Sequence, residues 1–458
     1  MRLTVGGAVT GLVLVAALAL LLVPLPASVG PTQQHLAALV IVALGLWATG
    51  AVPTHITALG FMFAAILLGL APADVVFSGF VSAAFWLIFG GMIVGVAVQH
   101  TGLGERFAQA IVGHIGHSYR TIIVGIVLVS VTLAFLVPSA MARLLILMPI
   151  ALSLADRLGF GPDSPGRMGL ALAVGFGTFM PAAAILPANV PNVILAGVAD
   201  SLYDVTLTYG DYLILHFPVL GIVKAAVIAV LILAMFRDTP GTVAATAVAP
   251  ATPVQKRLGV VLALALVLWI TDFLHGVSPA WVAMGAGLVC LVPGTGFLPA
   301  RAFDERLQYS SLFYAAGVIG LGATIAHSGL GAVMGDGLLA IAGLEPDAPR
   351  WNFWALSAVA TLLGTGSTMP GVPAILGPLA GDLAATTGLP LTDVLMTQVV
   401  GFSTIFLPYQ VGPLMIALHL GGVPLRHGIR LCLAVAAVTI VVVWPLNFAW
   451  WLFLGKLS

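Results

Sequence analysis

Charged residues are scarce in this sequence, and their scarcity excludes a water-soluble fold. Only 7% of the 458 residues are charged and 60% are hydrophobic, with a mean hydropathy of +1.15. Soluble globular domains carry roughly 25% charged residues, so this chain has too few charged side chains to form a water-exposed surface. The composition and the long apolar runs predict an all-α polytopic membrane protein.

A surplus of either charge sign and a cysteine pattern are also lacking. Sixteen Lys and Arg balance sixteen Asp and Glu, which excludes the basic surface that nucleic acid requires. Cys290 and Cys432 both lie in apolar runs, without the spacing of a zinc site or a disulfide framework. We therefore expect no nucleic-acid partner, no zinc and no organic cofactor.

About eleven apolar runs have the length of a transmembrane helix. Two further apolar stretches, 121–155 and 351–384, are interrupted by Pro, Gly and small polar residues, and we predict that each is a re-entrant hairpin. The first run could also be a cleaved signal peptide, but only Arg2 precedes it, which favours an uncleaved helix. The predicted spans are 8–25, 35–52, 55–72, 83–99, 167–199, 212–235, 257–274, 279–296, 311–328, 395–420 and 431–455.

The basic residues predict the orientation of these spans. Cytoplasmic loops carry an excess of Lys and Arg. If the N-terminus is cytoplasmic and both hairpins return to their own side, only Arg350 and Lys456 lie outside, and Arg143 and Lys224 lie within the membrane. We therefore predict an inner-membrane protein with a cytoplasmic N-terminus and an external C-terminus. The basic residues on the cytoplasmic side are then Arg2, Arg106, Arg120, Arg157, Arg167, Arg237, Lys256, Arg257, Arg301, Arg306, Arg426 and Arg430.

The two halves of the chain share short motifs at nearly constant offsets. The motif at 100–104 (HTGLG) recurs at 327–331 (HSGLG), 139–141 (SAM) recurs at 367–369 (STM), and 186–190 (LPANV) recurs at 407–411 (LPYQV). Each half holds five spans and one hairpin, so the second copy would enter the membrane upside down. Inverted repeats of this kind are typical of secondary transporters. The predicted organisation is an extra N-terminal helix (1–34), a first repeat (35–235), a cytoplasmic linker (236–256) and a second repeat (257–455).

Four breaks in the predicted helices define the candidate site. They lie at the hairpin tips, 137–143 and 364–373, and in the proline-rich helices at 181–192 and 406–413. Half-helices that restart after such breaks point their N-terminal N–H groups into the gap, which favours an anionic substrate. The predicted substrate-binding residues are Ser139, Ala140, Met141, Arg143, Asn189, Val190, Pro191, Asn192, Ser367, Thr368, Met369, Gln410, Val411 and Pro413.

Two cations and no acid lie at comparable depth in the predicted membrane core. Arg143 follows the first hairpin tip, and its planar guanidinium suits a carboxylate, phosphate or sulfate. The alternative is that Arg143 bonds the carbonyls of the hairpin and never contacts substrate. Lys224 lies within the sixth span, where it could bind the substrate, extend to the interface or cap a broken helix.

At these residues the chain resembles the divalent anion:sodium symporter family, which carries dicarboxylates, citrate and sulfate. The resemblance extends from about residue 35 to 455 and includes the run 85–91 (FWLIFGG), both hairpins and both unwound helices. It implies elevator-type alternating access, a homodimer in lipid, and sodium bound near Ser139, Ala188, Ser367 and Gln410.

The departures from that family concern its sodium ligands. The family has Ser-Asn-Thr at each hairpin tip, whereas this chain has Ala140 and Thr368 in place of the asparagines and Met141 and Met369 in place of the threonines. Our hypothesis is that Arg143 substitutes for a bound sodium charge, so that transport is sodium-independent or is an exchange.

Two other functions fit the sequence less well. A sodium- or proton-coupled cation antiporter would need an acid at the midplane, and the sequence places none there. An intramembrane serine enzyme would pair Ser403 with His419, sixteen residues apart, and we expect no enzyme. His114 and His117 lie in a predicted cytoplasmic loop without a third metal ligand.

Overall fold

The chain forms an all-helical structure, as the composition predicts. The computed structural model describes residues 5–23, 29–114, 118–241, 250–334, 342–346 and 348–457, and no strand occurs in these ranges. Helices of the first half are α1 (Val5–Leu22), α2 (Pro31–Thr49), α3 (Thr54–Leu67), α4 (Ala73–Val76), α5 (Ser78–Val81), α6 (Ala83–Thr101), α7 (Leu103–His114), α8 (Tyr119–Leu136), α9 (Ala140–Arg157), α10 (Pro165–Phe179), α11 (Val190–Tyr203), α12 (Tyr209–His216) and α13 (Lys224–Met235).

The second half begins after the linker and is built from helices of similar length. They are α14 (Pro253–Ile270), α15 (Asp272–His275), α16 (Pro279–Leu291), α17 (Ala302–Glu305), α18 (Tyr309–His327), α19 (Pro349–Gly366), α20 (Gly371–Leu376), α21 (Ala380–Thr387), α22 (Leu391–Phe402), α23 (Gly412–Leu420), α24 (Leu425–Val438) and α25 (Trp444–Phe453).

The helix count confirms the predicted class of membrane protein. Seven helices in the described ranges are long and apolar enough to cross a membrane, and five apolar helices in these ranges are shorter. The four breaks that divide predicted spans and hairpins explain why several of these helices are short. All eleven predicted spans therefore correspond to helical segments.

Two predicted loops are partly helical. The segment after the fourth span was predicted as a loop, but α7 is a helix with Gly104 against Ile146 of α9, and His114 is its last residue. His117 lies outside the described residues. The predicted linker 236–256 ends early because α14 begins at Pro253, where the Thr252 hydroxyl caps the helix; residues 242–249 of the linker lie outside the described residues.

The returning arm of the second predicted hairpin is divided into two helices. α20 ends at Leu376 and α21 begins at Ala380, since Pro378 has no N–H to continue the helix. The Tyr203 hydroxyl lies 2.9 Å from the carbonyls of both Gly377 and Pro378 and accepts from the Gly381 N–H at 3.1 Å. The side chain of Tyr203, on α11, therefore bonds backbone groups on both sides of this break.

The same order of elements occurs in both halves. A helical hairpin is followed by a broken helix and then by a helix that contains a π-helical segment, Phe217–Val223 in the first half and Thr439–Val443 in the second. π-Helical segments are rare and often lie at functional sites. The inversion of the second half relative to the membrane stays a prediction, as do the re-entrant hairpins.

Helices of the two halves pack closely against each other at two crossings. α6 of the first half packs on α16 of the second, and α18 of the second half packs on α3 of the first. An added Cβ at Gly90 would lie 2.4 Å from the Ala283 backbone, and one at Gly317 would lie 2.4 Å from the Ala58 Cβ. Small residues allow such close approach of membrane helices.

We expect Gly90→Val to destabilise the protein. The added side chain would clash with backbone atoms of α16, which cannot move as a side chain can, and overpacking of this kind costs about 1–3 kcal/mol. Gly285→Val is the matched control, because Gly285 lies on α16 with nothing within 4 Å of its added Cβ. Thermal unfolding in detergent checks this, and an equal loss in both variants would contradict the packing described here.

Candidate functional site

The four breaks surround one cavity. Its volume is about 600 Å³, and both hairpin tips and both unwound segments line it. The tips contribute 138–141 and 368–370, and the unwound segments contribute 187–191 and 409–413. Residues that the sequence places about 230 positions apart therefore meet, as the prediction of a shared site requires.

Three helices begin at this cavity. α9 begins at Ala140, α11 at Val190 and α23 at Gly412, and all three residues line the cavity. The N-terminal N–H groups of a helix have no partner within it, and its dipole places partial positive charge there. Asp, Glu, Lys, Arg and His are all absent from the described lining, so these helix ends dominate its electrostatics. The arrangement attracts an anion.

Buried amide side chains hold the unwound segments in shape. Asn189 donates from Nδ2 to the Phe179 carbonyl at 3.1 Å, and Asn192 donates to the carbonyls of Ala182 and Ile185 at 3.2 and 2.8 Å. Prolines 181, 187 and 191 interrupt the helical hydrogen bonds in this segment, and the two amides bond carbonyls within it. Asn192 is therefore a structural residue, and it does not line the cavity.

Gln410 plays the equivalent part in the second half. Its Oε1 accepts from the N–H groups of Phe406 and Leu407, each at 2.8 Å. Its carbonyl accepts from the Met369 N–H at 3.2 Å and so ties the second hairpin tip to the second unwound segment. Nε2 of Gln410 has no hydrogen bond within the described ranges and is available to a bound anion.

Arg143 lies behind the cavity wall, with no exposed surface. Its Nη1 donates to the Val137 carbonyl at 2.6 Å, and its Nη2 donates to the Thr178 carbonyl at 3.0 Å. Both nitrogens lie 3.2 Å from the Ala188 carbonyl, and Nη2 lies 3.5 Å from Oδ1 of Asn189. Arg143 thus bonds carbonyls, as the alternative describes, and does not line the cavity, while its contact with a substrate stays a prediction.

The charge of Arg143 is still close to the cavity. Ala188 and Asn189 accept hydrogen bonds from its guanidinium, and both residues also line the cavity. Arg143 forms no salt bridge in the described part of the chain. A buried cation without a carboxylate leaves a positive field in the low-dielectric surroundings. That field adds to the partial charges of the helix ends.

Lys224 occupies a similar position at the second unwound helix. It is fully buried, and its Nζ donates to the Ser403 carbonyl at 2.7 Å and lies 3.1 Å from the Ser403 hydroxyl. Ser403 is the C-terminal cap of α22, just as Thr178 lies in the last turn of α10. Each broken helix therefore has a buried cation at its negative, C-terminal end, the favourable end for a positive charge. This geometry supports the capping alternative for Lys224.

The predicted sodium ligands do not form a set of free oxygens. The Ala188 carbonyl is bonded by Arg143, Ser139 Oγ accepts from the Ala142 N–H, and Gln410 Oε1 accepts two backbone N–H groups. Ser367 Oγ donates to the Leu363 carbonyl and does not line the cavity. Of these groups only the Ala188 carbonyl is bonded by the guanidinium of Arg143, whereas Ser139 Oγ and Gln410 Oε1 accept from backbone N–H groups.

Most of the predicted site residues line the cavity, and the exceptions are Arg143, Asn192 and Ser367. The sequence reasoning missed a wall opposite the breaks, which includes Trp47, Gln308 and Tyr314. Trp47 and Tyr314 pack edge to face with ring centroids 5.4 Å apart. Nothing in the sequence marks these residues, because they lie in unbroken helices or next to a helix end. The residues that were predicted and line the cavity are Ser139, Ala140, Met141, Asn189, Val190, Pro191, Thr368, Met369, Gln410, Val411 and Pro413.

The buried acids lie away from the cavity. Asp272 accepts from the Tyr209 N–H, and Asp393 accepts from the Leu457 N–H at 3.0 Å with Lys456 Nζ 3.8 Å away. Both are structural partners of backbone groups. Ser403 is buried against Lys224 while His419 is exposed, so they do not form the serine–histidine pair of an enzyme. No cluster of three metal-ligating side chains occurs in the described ranges.

Comparisons with known proteins agree with this architecture. A membrane protein from Cupriavidus necator is 26% identical over 416 residues, which cover 85% of this chain and 81% of the relative. The L-tartrate/succinate antiporter of Escherichia coli K12 is 26% identical over 385 residues, covering 79% and 76%. The YdaH transporter of Alcanivorax borkumensis shares the fold, with a TM-score of 0.56 and 17% identity over 94% of this chain and 100% of that one.

The family model described as the sodium:sulfate symporter transmembrane region matches residues 8–457, nearly the whole chain. This match, the helical architecture and the cavity between the four breaks agree with the resemblance seen in the sequence. The chain is therefore a multi-pass membrane transporter of the divalent anion:sodium symporter family.

Proposed function

We propose that the protein exchanges small dicarboxylates of the succinate and tartrate class across the bacterial inner membrane, without sodium. The observation that carries the proposal is the convergence of three helix N-termini on a cavity whose described lining holds no charged side chain. A dianion would neutralise the partial charges of these ends and the field of Arg143. The antiporter relative supports the same substrate class.

Sodium independence follows from the two resident cations. A sodium symporter brings its positive charge from solution and releases it with the substrate. Arg143 and Lys224 are covalently part of the chain, so their charge stays in the empty carrier. Moving the empty carrier across the membrane with an uncompensated buried charge costs free energy, and a bound counter-anion lowers that cost. Obligate exchange is the expected consequence.

The proposal includes the features that the family resemblance implies. The protein works as a homodimer and alternates access by an elevator-like movement, with its N-terminus in the cytoplasm and its C-terminus outside. A cation antiporter is the alternative function, and the position of Asp272 and Asp393 outside the cavity argues against it.

Counterflow in liposomes tests the proposal. The purified protein is reconstituted, the vesicles are loaded with unlabelled succinate, tartrate, citrate, sulfate or no anion, and the uptake of labelled succinate is followed in sodium or choline buffer. We expect uptake only into vesicles loaded with a dicarboxylate, at equal rates in both buffers. Sodium-driven uptake into empty vesicles would show symport, and failure of every anion would overturn the substrate class.

A further inference from the structure

A second large cavity lies on the outer face of the first hairpin. It has a volume of about 840 Å³ and runs between α8 and the helix formed by α12, the π-helical segment and α13. Its walls are apolar and open: Leu128 is 57% exposed, Ile222 59% and Val230 63%. We call this cavity the hairpin groove. It is separate from the substrate cavity, since the two share no lining residue.

The hairpin groove has charge at one end only. Arg120 lies at the start of α8 and Arg237 follows the end of α13, and both are exposed and line the groove. Neither forms a salt bridge in the described part of the chain. The neighbouring Asp238 is already bonded, because its two carboxylate oxygens accept from the N–H groups of Gly166 and Thr239. Among the described residues, the two guanidinium groups therefore lack an acidic partner.

The other end of the groove is closed by aromatic rings. Phe135 of α8 and Phe217 at the start of the π-helical segment meet edge to face with centroids 5.1 Å apart. Arg120 and Phe135 are separated by fifteen residues, which corresponds to about 22 Å along a helix. One leaflet of the hydrocarbon core is about 15 Å deep, so the groove can hold an acyl chain with its head group at the arginines.

We propose that the hairpin groove binds an anionic phospholipid, with the phosphate between Arg120 and Arg237 and an acyl chain along α8. Arginine binds phosphate oxygens through paired, charge-assisted hydrogen bonds, and basic pockets between membrane helices bind acidic head groups. The long apolar wall favours a lipid over a soluble anion, because a soluble anion would contact only the arginines. A second copy of the chain is a poorer occupant, because a two-fold contact would bring the arginines of both copies together.

The site has a mechanical consequence for transport. α8 ends one residue before the tip that carries Pro138 and Ser139 in the substrate cavity. A lipid held against α8 therefore braces the hairpin that positions the substrate. This role rests on the structure of the hairpin rather than on the identity of the transported anion, so it can be tested even if the proposed exchange fails.

Thermal unfolding with defined lipids tests the site. The delipidated protein is mixed with phosphatidylglycerol, with phosphatidylcholine of the same acyl chains, or with inorganic phosphate. We expect phosphatidylglycerol to raise the unfolding temperature, phosphatidylcholine to raise it less, and inorganic phosphate to have no effect. Equal shifts with both lipids, or an equal shift with phosphate alone, would overturn the proposal.

Two variants locate the effect. Arg120→Gln with Arg237→Gln removes the head-group contacts, and Ala226→Trp fills the exposed apolar wall without touching an arginine. We expect both to lose most of the shift with phosphatidylglycerol and most of the phosphatidylglycerol that native mass spectrometry detects on the protein. Arg301→Gln with Arg306→Gln removes the same charge from an exposed loop and should retain both. Retention in the groove variants would overturn the assignment.

Discussion

Replacing Arg143 with glutamine is expected to abolish sodium-free exchange. The substitution removes the buried charge and leaves the carbonyls of Thr178 and Ala188 with at most one side-chain donor between them, whereas the Val137 carbonyl still accepts from the Ser139 N–H. The anion loses its interaction with the buried charge, and a loss of about 2.8 kcal/mol in binding free energy lowers affinity about a hundredfold, so we expect exchange to fall by at least that factor. Labelled succinate exchange in choline buffer measures this loss.

Adding sodium should show whether Arg143→Gln loses exchange through the missing positive charge or through a change in the structure of the site. The shorter glutamine side chain would leave space next to three carbonyl oxygens, and a small cation can occupy it, so we expect part of the exchange of Arg143→Gln to return in sodium buffer. Arg143→Lys keeps the charge but only one point of attachment, and we expect it to be intermediate without sodium. Arg301→Gln, at a side chain that is 82% exposed, is the control. Unchanged sodium-free exchange in a folded Arg143→Gln protein would show that Arg143 has no part in transport.

The position of the breaks was predictable because their causes are local. Proline removes an N–H and obstructs the preceding turn, so Pro187, Pro191 and Pro413 mark the unwound segments in the sequence itself. The repeat then predicted that the breaks would meet, and they do. Pro378 divides the returning arm of the second predicted hairpin for the same local reason.

The direction of the Arg143 side chain was not predictable, because non-local contacts decide it. Its acceptors on Thr178, Ala188 and Asn189 lie 35 to 46 residues further along the chain. The sequence places Arg143 just after the tip, from which it could extend to the cavity or to the end of α10. The structure has the side chain beside the end of α10, because the carbonyls of Val137, Thr178 and Ala188 meet there and accept its hydrogen bonds.

The cavity wall formed by Trp47, Gln308 and Tyr314 was not predictable for a related reason. Trp47 lies near the end of the regular helix α2 and Tyr314 lies in the regular helix α18, so neither is marked by a break, a charge or a proline. Their place in the cavity results from the packing of α2 on α3 and of α3 on α18, which brings the first and second halves of the chain together. Only the tertiary packing of the two halves identifies such residues.

The second large effect is expected at Ala140, where a carboxylate can take the place of the substrate's charge. Ala140 is the first residue of α9 and lines the cavity. An aspartate there would lie at the N-terminus of the helix, where a negative charge is stabilising, so Ala140→Asp should fold at least as well as wild type. The same aspartate would occupy the positive field that binds the anion.

Comparison of Ala140→Asp with Ala140→Asn isolates this charge, because the two side chains have nearly the same shape. Like charges brought together in a partly desolvated site cost several kcal/mol, so succinate should bind Ala140→Asp about a hundredfold more weakly than Ala140→Asn. Succinate-dependent stabilisation in detergent and exchange in liposomes both measure the difference. Equal succinate affinity in the two variants would mean that the anion does not bind at the N-terminus of α9. A gain of cation transport by Ala140→Asp would mean that the charge of the cavity decides which sign of ion the protein transports.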